Sequence, residues 1–451
     1  MTNSNVPQLI VTPLKPALIL GMAQKLPVLV RVQAPDAPSS EKKVRKPYHL
    51  ALVIDRSGSM SGAPIREAVR CARHIVDRLD PADQATLVVF DDRAKTLVGT
   101  QPVGDRKALH MALGLIHEGG STNLHGGWQA GANGLLPGVA DAALARVILL
   151  SDGNANAGEI KETEPIAALC REAAATGVTT STYGLGRDFN EDLMVAMAQM
   201  GQGNHYYGDT AADLFEPFGE EFDLISNLHS RHVKLALGAP QGIKMTLMND
   251  YPVEARDGFP LVRLPDIPYG AEAWAIIELE IPAGLALESG NQLLQAGVTA
   301  SSPEGEPIAF PEASLTLKAL SPAAWDAVLP DPLVAGRLAE LAVAQLLVQA
   351  RMAADAGDWE AIDRMLADAR KRYAQFPWVV EVLDSAEEIA QMRDMARFSK
   401  ESLYSSRKMS SRLSAKDEPM SMSEESTRAS YLRRKKSQGK AQFDGDQGGR
   451  S

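Results

Sequence analysis

Cysteine is nearly absent. The 451 residues hold only Cys71 and Cys170, each inside a stretch of helical periodicity with apolar neighbours. This excludes a disulfide-stapled secreted scaffold, and both thiols are expected to be buried in a reducing compartment. No run of about 18 apolar residues stands out, so no membrane-spanning segment is expected. The opening stretch MTNSNVPQLIVTPLKPALIL lacks a basic start and is broken by Pro13, Lys15 and Pro16, which makes it a poor secretion signal. A cytoplasmic location without membrane contact is the resulting expectation. Positive charge is in deficit too. The net charge is −11, which gives the body no general attraction to nucleic acid or anionic lipid. Familiar catalytic signatures are missing: there is no P-loop, G-x-S-x-G, H-E-x-x-H or Cys/His zinc spacing, and GLGRDFNED (184–192) lacks the dinucleotide fingerprint. The chain is therefore read as a non-enzyme.

What is present is the material of a globular protein, 45% apolar and 23% charged, long enough for two or three domains. Between residues 47 and 226 short β-branched runs (YHLALVID, ATLVVFD, ARVILLSD, TTSTYGLG, NHYYGD) alternate with helical patterns such as APIREAVRCARHIVDRL and EPIAALCREAAATG. Strands that are apolar throughout, parted by amphipathic helices, imply a doubly wound α/β domain with a mostly parallel sheet, and ligands bind such sheets at the carboxyl ends of their strands. Residues 8–35 and 229–320 read differently, as short strands separated by Pro, Gly and Asn, the pattern of a β-sandwich. The first pair is too small to bury a face alone. It is expected to join the later strands, leaving the α/β domain as an insertion in a discontinuous sandwich. Residues 322–398 form a helical region, with Gly357 as a stop and Asp358 as the next cap. Residues 399–451, Ser-rich and basic, are expected to be a disordered tail. From residue 401 onward the chain carries 11 Lys/Arg and 7 Asp/Glu, a net +4 against −15 for the rest.

The stretch LALVIDRSGSMSGAP (50–64) ends an apolar strand in Asp55, Ser57 and Ser59. One short polar side chain suffices to cap the helix that follows. Three at alternate positions line a pocket with oxygen. Two further loops leave the same sheet edge: GGSTNLHGG supplies Thr122 and ILLSDGNAN supplies Asp152. Five oxygen-bearing side chains from three loops suit a hard divalent cation.

The D-x-S-x-S triplet, the Thr on a second loop and the Asp on a third resemble the von Willebrand factor type A family and its metal-ion-dependent adhesion site, over about residues 48–226. The resemblance implies a bacterial-type protein in which Asp55, Ser57, Ser59, Thr122 and Asp152 hold Mg²⁺, with Mn²⁺ or Ca²⁺ as alternatives. It further implies that Ser57, Ser59 and Thr122 touch the ion while Asp55 and Asp152 hold its waters. An ion so short of negative charge accepts an Asp or Glu from a protein partner. The expected function is thus a metal-dependent protein-interaction scaffold. Relatives work beside AAA-type ATPases or kinase and phosphatase systems, which is the partner class the resemblance suggests.

Two other readings stay open. A Mg²⁺-dependent hydrolase would need a base or clamp, for which Arg56, His125 and Arg187 lie on suitable loops. Arg56 is more simply a solvated loop residue and His125 a helix-start residue. Nucleic-acid binding would rest on the basic tail alone, around SYLRRKKSQGKAQF (430–443), and is not expected of the acidic body. Trp128, Met194, Met197 and Met200 are read as core, Trp274 as a filler between sheets, and Asp91 and Asp92, which end a strand near the metal edge, as a turn, with a supporting role behind the metal residues as the alternative.

Overall fold

The computed structural model describes residues 6–37, 47–142, 144–185, 189–208, 214, 227–256, 259–283, 292–411 and 414–415. The chain forms two compact units, the inner one spanning Ser40–Ser226 and the outer one assembled from the segments on either side. Strands β1 (Gln8–Pro13), β2 (Ala17–Ile19) and β3 (Gln24–Gln33) come first. The inner unit follows with β4 (Tyr48–Asp55), α1 (Ala63–Arg78), β5 (Gln84–Phe90), β6 (Ala94–Pro102), α2 (Lys107–Gly114) and α3 (Leu124–Leu135). It continues through β7 (Leu144–Ser151), α4 (Thr163–Ala175), β8 (Val178–Leu185), α5 (Glu191–Met200) and β9 (Gln202–Gly208).

The inner sheet has the order β6-β5-β4-β7-β8-β9. Every pairing is parallel except β5 with β6. All eight residues of β4 and of β7 are buried, as helices on both faces require. On one face Leu50, Leu52 and Ile54 pack with Ile65, Ala68, Ile75 and Val76 of α1 and with Leu109 and Leu113 of α2. On the other, α3 lies close against the sheet. A Cβ at Gly127 would come within 2.3 Å of Phe90, and one at Gly131 within 2.5 Å of Val53 Cγ2. The chain leaves β4 toward β5 and leaves β7 toward β8, so the connections after these two adjacent strands run in opposite directions from their carboxyl ends, the switch point at which such sheets bind ligands.

The outer unit resumes with β10 (Leu228–Gly238), β11 (Lys244–Leu247), β12 (Val253–Arg256), β13 (Phe259–Arg263), β14 (Ile267–Pro268), β15 (Ala271–Ile281) and β16 (Gln292–Ser301). Then come β17 (Pro307–Ala309), β18 (Ala313–Thr316) and β19 (Lys318–Leu320). The helices are α6 (Pro322–Asp326), α7 (Pro332–Asp355), α8 (Trp359–Arg372), α9 (Pro377–Gln391) and α10 (Met395–Ser411), and the short β20 (Ser414–Ala415) ends the described chain. One sheet runs β1-β3-β15-β11 and the other β12-β13-β10-β16-β17. Val28, Val30, Val32, Ala273, Ala275 and Ile277 of the first share a core with Val233, Leu235, Leu294 and Ala296 of the second. The strands before the inner unit thus pair into the sheet formed after it. The two crossing points meet at one turn: Tyr269 N–H donates to Asn227 O and Gly270 N–H to Pro35 O, each at 2.8 Å.

Four findings depart from the sequence reading. Trp274 is fully buried, but not between the sheets. Strand residues alternate faces, and Trp274 joins Leu29 and Ile276 on the far side of β15, under Val334 and Leu341 of α7. Arg337 lies over its ring at 4.6 Å. Secondly, residues 399–411 are helical: α10 packs Phe398 and Met409 into the helical core, while β20 pairs with Ala271 and Glu272 of β15. The disordered tail expected from residue 399 therefore fails for residues 399–411, and 416–451, with the basic motif at 430–443, lies outside the described residues. Thirdly, α7 is long and apolar enough to cross a membrane by length and composition, yet 56% of that apolar stretch is buried in the protein, where it serves as a core helix. Fourthly, Met200 is only half-buried, unlike Trp128, Met194 and Met197. The helix break at Gly357 has φ +73°, and the Asp358 carboxylate caps α8 by accepting from Ala361 N–H at 3.0 Å. Cys71 and Cys170 are both buried and neither is in a disulfide.

Candidate metal site

The parallel register of β4 and β7 places Asp55 beside Ser151, one step beyond the Ile54–Leu150 pair. Ser151 Oγ donates to Asp55 Oδ2 at 2.5 Å, and Ser57 N–H donates to Oδ1 at 2.9 Å. The chain then turns through a short 3₁₀ segment at Gly58–Met60. There the Ser57 and Ser59 hydroxyls lie 3.2 Å apart. Asp55 and Ser57 are buried, and Ser59 is exposed.

Backbone hydrogen bonds tie this loop to the one carrying Thr122. Gly119 N–H donates to Arg56 O at 2.6 Å and Gly58 N–H to Gly120 O at 2.8 Å. The loop after β7 joins from the other side. Thr122 N–H donates to Asn156 Oδ1 at 2.8 Å, while Asn156 N–H and Ala157 N–H both donate to Thr122 O at 3.1 Å. Thr122 and Asp152 are buried. Asp152 Oδ1 accepts from Asn154 N–H at 3.1 Å, and Asp152 O accepts from Asn190 N–H at 2.7 Å, which anchors the start of α5. All five candidate residues thus lie on three loops that are hydrogen-bonded to one another at one sheet edge.

Charge decides what this edge can hold. Burial, with the nearby Asp152 adding to it, pushes the Asp55 carboxyl up to about 6 although the bonds from Ser151 and Ser57 pull it down. Among the described residues no Lys or Arg forms an ion pair with Asp55 or Asp152. The nearest guanidinium in sequence, Arg56, is committed to Asp91 at 2.5 Å. Two neighbouring buried carboxylates without a counter-ion carry an uncompensated cost of desolvation, and a cation among them removes it. Among the described residues no cluster of three or more His, Cys, Asp or Glu gathers. An ion held here must rely on the hydroxyls of Ser57, Ser59 and Thr122. That donor set fits Mg²⁺ or Mn²⁺, hard ions that take oxygen and retain water.

Of the residues weighed for catalysis, His125 is buried at the start of α3 and burial holds its imidazole below the usual pKa, with Glu159 opposing. Arg187 lies outside the described residues. Sequence reasoning missed Ser151, which reaches Asp55 only through strand register, and Asn156, which holds Thr122 from 34 residues away. It favoured a turn over a supporting role for Asp91 and Asp92, whereas both support the Thr122 loop: Asp91 O accepts from Asn123 N–H at 2.8 Å and Asp92 Oδ1 from Ser121 N–H at 2.9 Å.

Residues 49–219 match the family model of the von Willebrand factor type A domain. Similar curated proteins include sll0103 of Synechocystis, 30% identical over 46% of this chain and 48% of that protein, and YfbK of Escherichia coli, 26% identical over 42% and 33%. The mouse inter-alpha-trypsin inhibitor heavy chain H3 is 27% identical over 42% of this chain and 23% of its own length. The chain thus spans about half or less of the curated relatives it matches. Two solved structures share the fold across both units. A von Willebrand factor type A protein from Catenulispora acidiphila has a TM-score of 0.66, 17% identity, and coverage of 86% of this chain and 91% of that one. The ArnB paralog VWA2 from Sulfolobus acidocaldarius has a TM-score of 0.56, 18% identity, and coverage of 89% and 99%. The inner α/β unit of this chain is a von Willebrand factor type A domain, a common protein-interaction module.

Proposed function

We propose that this protein is a metal-dependent interaction scaffold that binds an acidic side chain of a protein partner through a divalent ion, Mg²⁺ foremost, held by Asp55, Ser57, Ser59, Thr122 and Asp152. The observation that carries the reading is the pair of buried carboxylates, Asp55 and Asp152, that lacks any Lys or Arg ion-pair partner among the described residues and shares its sheet edge with three hydroxyl side chains. Both oxygens of Asp55 already accept hydrogen bonds from the chain. This favours a role for Asp55 in holding the ion's waters and leaves direct contact to the hydroxyls. Neutral donors leave the ion electron-poor, and exposed Ser59 marks the side from which a partner's carboxylate completes the shell.

Calorimetric titration with Mn²⁺ and Mg²⁺ tests the metal. Binding is expected, with affinity falling at least about tenfold in Asp152→Ala. Partner capture is expected to disappear in EDTA and in Asp152→Ala together. An absence of heat with either ion, or capture indifferent to both treatments, overturns the reading.

A further inference from the structure

The Thr122 loop is held from below by a residue outside the five. Asp92 follows β5, one position past Asp91, and its Oδ1 accepts from Ser121 N–H at 2.9 Å. That bond holds the Asp92 carboxyl below the usual carboxylate range, so at neutral pH it accepts as an anion. The peptide above it lies close: a Cβ at Gly120 would stand 2.2 Å from Asp92 Oδ2, and one at Gly119 2.2 Å from Asp91 Oδ2. Asp92 O also accepts from Asn123 Nδ2 at 3.3 Å, and Asn123 caps α3 through Gly126 N–H at 3.0 Å. The loop from Gly119 to Asn123 is thus clamped between Asp91 and Asp92 beneath, Gly58 on one side and Asn156 on the other. Thr122 occupies the middle of this clamp. A side chain at 119 or 120 would collide with one of the two carboxylates, so that either the loop or the carboxylate beneath it must move.

We propose that Asp92 is a positioning residue for the metal site: by accepting from the Ser121 amide beneath a side-chain-free Gly119–Gly120 step, it sets the height of the loop and so places the Thr122 hydroxyl for the ion. Its role presupposes the metal-dependent reading above. Asp92 itself does not touch the ion. An acceptor at this position matters, and its charge does not.

Three variants of the full chain separate these features. Asp92→Ala removes the acceptor, Asp92→Asn keeps an oxygen that can take the Ser121 amide, and Gly120→Ala drives a methyl into the carboxylate. Outer supports of metal ligands are commonly worth about 10–100-fold in affinity, so Asp92→Ala and Gly120→Ala are each expected to lower Mn²⁺ affinity by at least about tenfold. Asp92→Asn should stay within about threefold of the parent, a residual effect well under that of losing the support. In EDTA, hydrogen exchange at the Ser121 amide is expected to accelerate in Asp92→Ala and not in Asp92→Asn. Should Asp92→Ala fail to fold, Gly120→Ala and Asp92→Asn carry the test. Unchanged affinity in Asp92→Ala or Gly120→Ala overturns the assignment, and so does equal loss in Asp92→Asn. Asp152→Ala is the reference. If the parent binds no Mn²⁺, or Asp152→Ala binds as well as the parent, the metal reading itself falls; if Asp152→Ala loses the ion while either Asp92→Ala or Gly120→Ala keeps it, only the role of Asp92 falls.

Discussion

Asp55 is a residue that costs the metal-free protein stability, a cost that the divalent ion proposed above would offset. Its carboxyl sits at about 6 in the fold against an ordinary value of 3.8, mainly through burial. The folded chain therefore holds this proton more tightly than the unfolded chain does. Metal-free stability is favoured where the group is protonated and declines as pH rises from about 4 to about 6, by roughly 3 kcal/mol in all at 1.36 kcal/mol per unit. A divalent ion reverses the sign by favouring the carboxylate. The rise in thermal midpoint on adding Mg²⁺ is accordingly expected to be larger at pH 8 than at pH 5. In Asp55→Asn the metal-free midpoint at pH 8 should hold or rise while the response to Mg²⁺ vanishes. Scanning calorimetry at the two pH values, with and without EDTA, reads both effects. At this scale the D-x-S-x-S triplet was legible because its members are neighbours in sequence. Ser151 and Asn156 were not, because one reaches Asp55 through strand register and the other reaches Thr122 between loops far apart in sequence; Asp92 was placed near the edge but not tied to the Thr122 loop.

At the scale of elements, the strands easiest to read were those buried on both faces. β4 and β7 are apolar along their whole length because helices cover them. The antiparallel edge strand β6 escaped the reading because it is largely exposed and polar. The Ser-rich α10 also looked unfit for a core, yet Phe398, Leu403 and Met409 are buried along it. Trp274 was recognised as buried but assigned to the wrong face, since alternation along β15 tells the two faces apart without saying what covers each. α3 offers a direct test of element packing. Its glycines bring it against the sheet, and a methyl at Gly131 would meet Val53 Cγ2 at 2.5 Å. Gly131→Ala is expected to destabilise the inner unit by about 1–3 kcal/mol, the usual cost of overpacking. Adding Val53→Ala should recover part of that loss by making room. Urea denaturation of the two single variants and the double variant measures the coupling. Simple addition of the two losses would show that α3 does not depend on this close approach.

The whole molecule contains two units, each with a hydrophobic core of its own. Its class was legible because apolar strand–helix alternation and Pro/Gly-punctuated strands are different periodicities on the page. The sequence reading already made the α/β domain an insertion between residues 35 and 229; the turn Tyr269–Gly270, which receives the chain at both Pro35 and Asn227, is stated by no local pattern. Separate cores predict separable responses to perturbation. Mg²⁺ is expected to raise only the unfolding transition of the inner unit, because the proposed ligands all belong to it. Truncation after Asp394 removes α10 and β20, which bury Phe398 and Met409 against the helical core and pair with Ala271 and Glu272 of β15. This truncation should lower only the transition of the outer unit. Each fully buried large apolar side chain contributes about 1.5–3 kcal/mol, so a loss of several kcal/mol is expected there while the midpoint of the inner unit and its shift with Mg²⁺ stay in place. Differential scanning calorimetry of the full and truncated chains, each in EDTA and in Mg²⁺, resolves the four cases. If truncation abolished the Mg²⁺ shift, α10 would have to be counted among the supports of the metal site, and the two cores could no longer be treated as independent.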